Sequence, residues 1–186
     1  DRVLHHAVFY VLNHIFEPMF INDSYSCRIG KGTHKGVRKV AEMVREVNKN
    51  NTHPCYALKC DVRKFFDSID HIILLSILRR KIKDIKTMRL IEEIIGSYTS
   101  HVDVFTRERE RVKTLSLFNK GIPIGNLTSQ IFANIYMNEF DQFVKHILKV
   151  KYYARYTDDF LIISANKNYL KKLLPCLKLF LSDKLR

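Results

Sequence analysis

No two of the four cysteines, Cys27, Cys55, Cys60 and Cys176, form a C-x-x-C pair. Spacing therefore offers neither a zinc ribbon nor a disulfide framework, and the four read as reduced thiols of the cytoplasm. The eight histidines are scattered: His5 and His6 fall in the first apolar-periodic segment and His71 opens another. None has a partner at metal-ligand spacing, and they read as structural or surface residues. No apolar stretch approaches the roughly 20 residues that a bilayer-spanning helix needs. These residues show no signal-peptide pattern, and a membrane partner is not expected. The Gly30-Lys31-Gly32 loop invites a phosphate-binding reading but is not a Walker A loop, because no Gly-Lys-Ser/Thr follows four residues after a Gly. Repeats, low-complexity tracts and separating linkers are absent as well.

Acidic residues are in deficit. Against 32 Lys+Arg stand 19 Asp+Glu, a net charge of +13. That excess favours an anionic partner, and nucleic acid is the first to consider, with binding that weakens steeply as salt rises. Basic soluble surfaces are common enough that charge alone identifies nothing. At 186 residues and 46% hydrophobic content, the chain can bury a real core as one compact domain or two lobes.

Periodicity organises the chain. Val3, Leu4, Ala7, Val8, Val11, Leu12, Ile15 and Phe16 recur at helical spacing, with Pro18 just beyond. A Gly-Lys-rich loop over 26–36 precedes a helix expected from about Val37 to Val47, and 48–54 reads as a polar turn. Cys55 to Val62 reads as a buried strand. Two helices are expected over about 68–82 and 86–99, broken at Lys83-Asp84. Residues 101–120 read as hairpin or loop, and the alternating run Arg107 to Arg111 as a solvated face. A last helix, about Tyr169 to Leu185, contains Pro175, which should kink or split it.

The chemistry concentrates in three places. Tyr156-Thr157-Asp158-Asp159 lies between an aromatic-rich run from Tyr152 and an apolar run, Phe160 to Ile163, both of strand composition. Two acids at a hairpin tip repel each other, an arrangement best tolerated with a cation between them. Asp-Asp also occurs as an ordinary solvated turn, so the pair gains meaning only from what accompanies it. Upstream, the 55–62 strand delivers Asp61 at its end. Ser68 is a good N-cap for the helix carrying Ile72, Ile73, Leu75, Ile77, Leu78 and Ile82, and Asp67 and Asp70 read as helix-start charges. Between these two segments, Gly121-Ile122-Pro123-Ile124-Gly125-Asn126-Leu127-Thr128-Ser129-Gln130 leads into a helix expected to be amphipathic through Phe140, Phe143, Val144, Ile147 and Leu148. Gly125 lets a flat ligand approach the backbone.

In this order and spacing the three segments resemble the A, B and C motifs of reverse transcriptases. Upstream, Asp1 to Leu4, Ile15 to Phe20 and Asp23 to His34 resemble the fingers segments of bacterial, group-II-intron-like members, so the likeness runs from residue 1 to about 165. It implies an α+β fold: a polymerase palm of antiparallel sheet backed by helices, with partial helical fingers. About 1–54 would be largely fingers and about 55–186 largely palm. Family members continue into a primer-grip region and a helical thumb. Because this chain lacks an initial Met and stops 27 residues after Asp159 (186 minus 159), the resemblance implies a fragment with the thumb absent.

The implied activity is RNA-directed DNA polymerisation by nucleotidyl transfer. Asp61 and Asp158 would bridge two Mg²⁺ ions, roughly 3.5–4 Å apart in such sites, with Mn²⁺ an acceptable substitute. Asp159 would assist, and the Val62 carbonyl would add a hard oxygen ligand. Phe66, five residues after Asp61, matches the steric gate that excludes a ribose 2′-hydroxyl; a core aromatic is the ordinary alternative, as expected of Phe65. Tyr156 would brace the hairpin near the primer end. The resemblance puts Arg28 and Lys31 near triphosphate or template, in preference to Arg38. Partners would be an RNA template, a DNA or RNA primer and dNTPs.

The wording of the second motif narrows the resemblance. Ile124-Gly125 followed by Ser129-Gln130 is similar to reverse transcriptases of diversity-generating retroelements, which misincorporate opposite template adenines and commonly use a small helical accessory protein. Most other members carry Gln where Ile124 stands. An Ile cannot donate a hydrogen bond near the nucleotide and leaves a slacker contact, unless it is simply a packed loop residue. A group II intron or retron enzyme, an RNA polymerase of the same palm, and a nucleic-acid-binding or defence module without synthesis stay open.

Overall fold

The computed structural model describes residues 2–97 and 120–185. Two antiparallel pairings build the only sheet among these residues, in the order β1-β3-β2, from β1 (Tyr56–Cys60), β2 (Tyr153–Tyr156) and β3 (Asp159–Ser164). Tyr156 pairs with Asp159 across a tight hairpin, and Cys60 pairs with Phe160, so β1 ends beside the hairpin tip. Strand β1 is not the buried strand that the sequence suggests. It lies at the sheet edge, and Tyr56, Ala57 and Lys59 are exposed.

Side-chain alternation gives each sheet face its own cover. Ile163 and Leu161 pack on Met43 and Val47 of α2 (Thr33–Val47). On the other face, Phe160 and Ile162 join the main core with α6 (Leu127–Gln142) and α7 (Lys167–Phe180), where the Phe140 and Phe160 rings lie 4.9 Å apart. Against α6 pack α1 (Arg2–Phe16) and α4 (His71–Lys81), and α5 (Ile85–Gly96) packs on α4.

Several helix boundaries differ from expectation for local reasons. Helix α4 starts after Asp70, not at Ser68, because the Asp70 carboxylate accepts the N–H groups of Ile72 (2.9 Å) and Ile73 (3.1 Å). Ser68 instead closes a separate short turn, α3 (Phe65–Ser68), by donating to the Phe65 carbonyl. Helix α2 starts at Thr33, four residues before Val37. It admits Gly36 where a Cβ would come within 3.3 Å of the Tyr25 ring.

Helix α6 is buried nearly all round and not amphipathic. Its continuation widens into a π-helical turn, Phe143–Ile147, that leaves Ile147 exposed. In α1 only Leu12 and Phe16 of the apolar stripe are buried, and Val3, Leu4 and Val11 face outward. Helix α7 begins at an Asn166 cap and runs through Pro175 without splitting, with a π-helical turn, Leu181–Leu185, beyond it. Apart from Lys120, the hairpin or loop expected over 101–120, with its charge run, lies outside the described residues. Among the described residues no helix is long and apolar enough to cross a membrane, and all four cysteines are free thiols.

Candidate active site

The sheet brings Asp61 and Asp158 together. Asp61 follows the last residue of β1, and Asp158 occupies the hairpin tip that β1 reaches through the Cys60–Phe160 pairing. Their side chains lie close enough for the charge on one to act on the other. The pKa of Asp158 is raised in this setting. Burial is the largest cause, followed by the negative charges of Asp61 and Asp159.

Asp159 meets a cation. It lies 3.8 Å from the Lys59 ammonium, an exposed pair that contributes little by itself. Among the described residues no three His, Cys, Asp or Glu side chains converge on one point. The three predicted carboxylates thus form a close pair and a neighbour. Two repelling carboxylates at the rim of a basic protein are hard oxygen donors of the kind that Mg²⁺ accepts, so the residues present fit that ion.

Behind the tip, Phe66 and the 121–125 loop are tied to each other. Ile122 donates its N–H to the Phe66 carbonyl at 2.9 Å, Gly121 donates to the Ile69 carbonyl at 2.8 Å, and His71 Nε2 donates to the Gly121 carbonyl at 2.6 Å. His71 is buried and structural, as its lack of ligand spacing implied. Phe65 is 4% exposed and belongs to the core, whereas Phe66 is half-buried, edge-on to it at 5.4 Å. Val62, next to Asp61, is half-buried.

Ile124 is 77% exposed, which removes the reading that it is a packed loop residue. Gly125 has φ +101°, a conformation that side chains other than glycine's resist. Tyr156 is 44% exposed and accepts a hydrogen bond from the Thr33 hydroxyl (3.2 Å), which braces the hairpin against the start of α2. An apolar cavity of about 290 Å³ lies between that helix start and the sheet, lined by Val37, Val40, Ala154 and Leu161 with Lys59 and Asp159 among its walls.

The two basic residues are placed differently from each other. The Arg28 guanidinium is 6% exposed and holds Glu17 as well as the carbonyls of Ile21 (2.6 Å) and Ser24 (2.9 Å). Its donors are committed to shaping the loop. Lys31 extends over the Tyr25 ring and donates to Asn22, in a second cleft lined also by Lys35, Arg38 and Lys39.

Sequence reasoning missed the polar network under the hairpin. Arg155, between Ala154 and Tyr156 in β2, is 1% exposed and forms a fork with Asp141 of α6 at 2.7–3.0 Å. Burial opposes its charge, but Asp141 outweighs that and the Arg155 pKa is raised. The available signal was alternation: a charged residue at a core-facing position of a strand needs a buried counter-charge elsewhere.

Comparisons with known proteins agree with this architecture. The family described as "Reverse transcriptase (RNA-dependent DNA polymerase)" matches residues 1–184. Group II intron-encoded protein LtrA of Lactococcus lactis subsp. cremoris is 30% identical over 152 residues, which are 82% of this chain and 22% of LtrA. Protein YkfC of Escherichia coli (strain K12) is 28% identical over 147 residues, 77% of this chain and 35% of YkfC. The chain therefore spans about a third or less of the length of these relatives. An apo telomerase from Candida tropicalis, truncated from its C-terminal domain, superposes with a TM-score of 0.64 at 16% identity, over 98% of this chain and 38% of that one. At that identity the likeness concerns the fold alone.

Proposed function

The chain belongs to the reverse transcriptase family, and we propose that it is the part of an RNA-directed DNA polymerase that joins dNTPs to a primer 3′-hydroxyl. The observation that carries this reading is the meeting of Asp61 and Asp158 where β1 and the β2–β3 hairpin end together. A pair of carboxylates held in mutual repulsion has little structural use, and it has an obvious use as a seat for divalent cations.

Asp61, Asp158 and the Val62 carbonyl would hold two Mg²⁺ ions, or Mn²⁺ in their place, with Asp159 adding charge at the same end of the sheet. When bound, such ions supply activation of the primer hydroxyl and neutralisation of the triphosphate and leaving pyrophosphate. The chain's own residues do the rest. Phe66 takes the space of a ribose 2′-hydroxyl and selects deoxynucleotides, its backbone steadied by Ile122. Tyr156, braced by Thr33, supports the primer end. Exposed Ile124 and Gly125 form the surface against which the nascent base pair rests. Lys31 faces the triphosphate or template, and Arg28 keeps the loop that carries Lys31 in shape. RNA template and primer would follow the basic surface that the +13 charge provides.

Within the family, Ile124-Gly125 and Ser129-Gln130 support an error-prone enzyme of a diversity-generating retroelement, partnered by a small helical accessory protein. The exposure of Ile124 adds to that support, because its apolar side chain is free to meet the nascent pair and cannot donate a hydrogen bond. The 30% identity to LtrA favours a second reading, a group II intron type enzyme.

Primer extension on a defined RNA template tests both. The full-length protein is supplied with Mg²⁺ and dNTPs beside an Asp158→Ala control, and the products are sequenced. Extension lost in the control supports the polymerase, and errors concentrated opposite adenines support the retroelement type. Extension with evenly distributed errors supports the intron type. No extension from a folded, RNA-binding protein would sink the enzyme reading in favour of a binding module.

A further inference from the structure

We propose that the buried Arg155–Asp141 pair aims the hairpin tip through the Thr157 carbonyl, which makes Arg155 a positioning residue for nucleotidyl transfer. This rests on the polymerase reading above, but its geometric half can be tested without it.

Every polar atom of the pair is occupied. Arg155 Nε donates to both Asp141 oxygens (2.8 and 3.0 Å), and Nη2 donates to Asp141 Oδ2 (2.7 Å) and the Ser24 hydroxyl (3.1 Å). The Tyr153 hydroxyl donates to Asp141 Oδ1 at 2.6 Å. Both charged side chains are fully buried. An apolar pair of similar volume commonly stabilises a core as well or better, so stability alone does not account for a satisfied ion pair at this position.

Besides the Ser24 bond, two bonds from Nη1 leave the pair. Nη1 reaches Asn134 Oδ1 at 3.2 Å and the Thr157 carbonyl at 2.6 Å. That carbonyl belongs to the planar peptide joining Thr157 to Asp158, so fixing its oxygen orients the unit from which Asp158 projects. Thr157 has φ +56°, an uncommon left-handed conformation for a β-branched residue, and must be held there. A second anchor does so from the other side. The Thr157 hydroxyl donates to Ser26 Oγ at 2.7 Å, and the Ser26 carbonyl accepts from Asn134 Nδ2 at 2.9 Å. The tip is thus clamped by α6, by the loop before α2 and by its own strand.

Arg155→Lys is the discriminating variant. A lysine keeps a positive charge opposite Asp141 but cannot form the fork and reach Thr157 as well. The full-length variant is compared with wild type for thermal midpoint, for amide exchange over 153–164, and for kcat and KM in primer extension. Thr157→Ser and Thr157→Val serve as companions. The expected result for Arg155→Lys is a folded protein whose amide exchange quickens at the tip and not across the strands. Its kcat should fall by roughly 100-fold, the scale of a misplacement of about 1 Å, while KM for dNTP stays within about two-fold. Thr157→Ser should keep wild-type kcat, and Thr157→Val should lose it.

A folded Arg155→Lys protein with wild-type kcat and unchanged exchange overturns the proposal. So does a loss of kcat that merely tracks the folded fraction, with exchange rising over the whole sheet, because the pair is then only part of the core. A wild-type protein that fails to extend primers overturns the polymerase reading instead, and the exchange comparison then supports or overturns the clamp by itself.

Discussion

Ile122 donates its backbone N–H to the carbonyl of Phe66 at 2.9 Å, joining the residue proposed to exclude ribose to the loop proposed to support the base pair. The two surfaces of the proposed nucleotide site are therefore tied together, and held to α3 and α4 through Gly121 and His71. Because the bond uses main-chain atoms, a side-chain change at position 66 should alter sugar choice without dislodging the loop.

Phe66→Val should accordingly accept ribonucleotides. We expect the ratio of kcat/KM for rNTP over dNTP to rise roughly 10–200-fold, the range that small differences in pocket fit produce. An unchanged ratio in an active variant would return Phe66 to the role of a core aromatic.

The raised pKa of Asp158 carries a pH signature. Its folded-state value exceeds its unfolded one because burial and the charges of Asp61 and Asp159 oppose ionisation. The fold therefore binds this proton more tightly than the unfolded chain does, and stability from this group falls as pH rises through the raised value. Asp158→Asn removes the repulsion. The variant should be more resistant to urea than wild type at neutral pH without divalent cations, and the gap should close below the ordinary carboxylate range. Added Mg²⁺ should raise the wild-type midpoint and leave that of the variant unmoved. A variant less stable than wild type at neutral pH would show that the two carboxyl groups do not repel each other.

Ile124→Gln restores a side chain that can hydrogen-bond near the nascent pair. One such bond contributes about 1 kcal/mol net, so misincorporation opposite adenine should fall by roughly five-fold. Counting errors in sequenced products decides it, and an unchanged error spectrum would remove Ile124 from fidelity.

Gly125→Ala forces a Cβ into the left-handed region at φ +101°. No neighbouring atom obstructs that Cβ, so the cost is purely of backbone conformation, about 1–2 kcal/mol. Urea denaturation should report that loss, and primer extension should weaken with it. A variant as stable as wild type would mean that the turn relaxes to negative φ.

Much of the site was readable along the chain because its parts are local. A strand ending in Asp61, a Gly-Pro loop leading into a helix, and two acids between two apolar runs are each short patterns, and their order names the family. The helix that begins near residue 70 was equally readable, but its first residue was not. Ser68 and Asp70 are both good caps, and only the geometry of α3, which engages Ser68 with Phe65, leaves the cap to Asp70. The exposure of β1 was hidden for a similar reason, since the composition of a strand does not say whether it has one neighbour or two.

The sequence by itself determined the chemistry available: three carboxylates at two strand ends, an aromatic five residues after the first, and a strongly basic chain. Tertiary structure alone decided their relations. It set Asp61 beside Asp158 at the hairpin turn and Asp159, the first residue of β3, beside Lys59 of β1, because pairing of the strands brings distant segments to one end of the sheet. It also placed Asp141 beneath Arg155, fourteen positions away in sequence. A buried charge requires its partner in space, and no local pattern specifies which distant residue the fold will bring there.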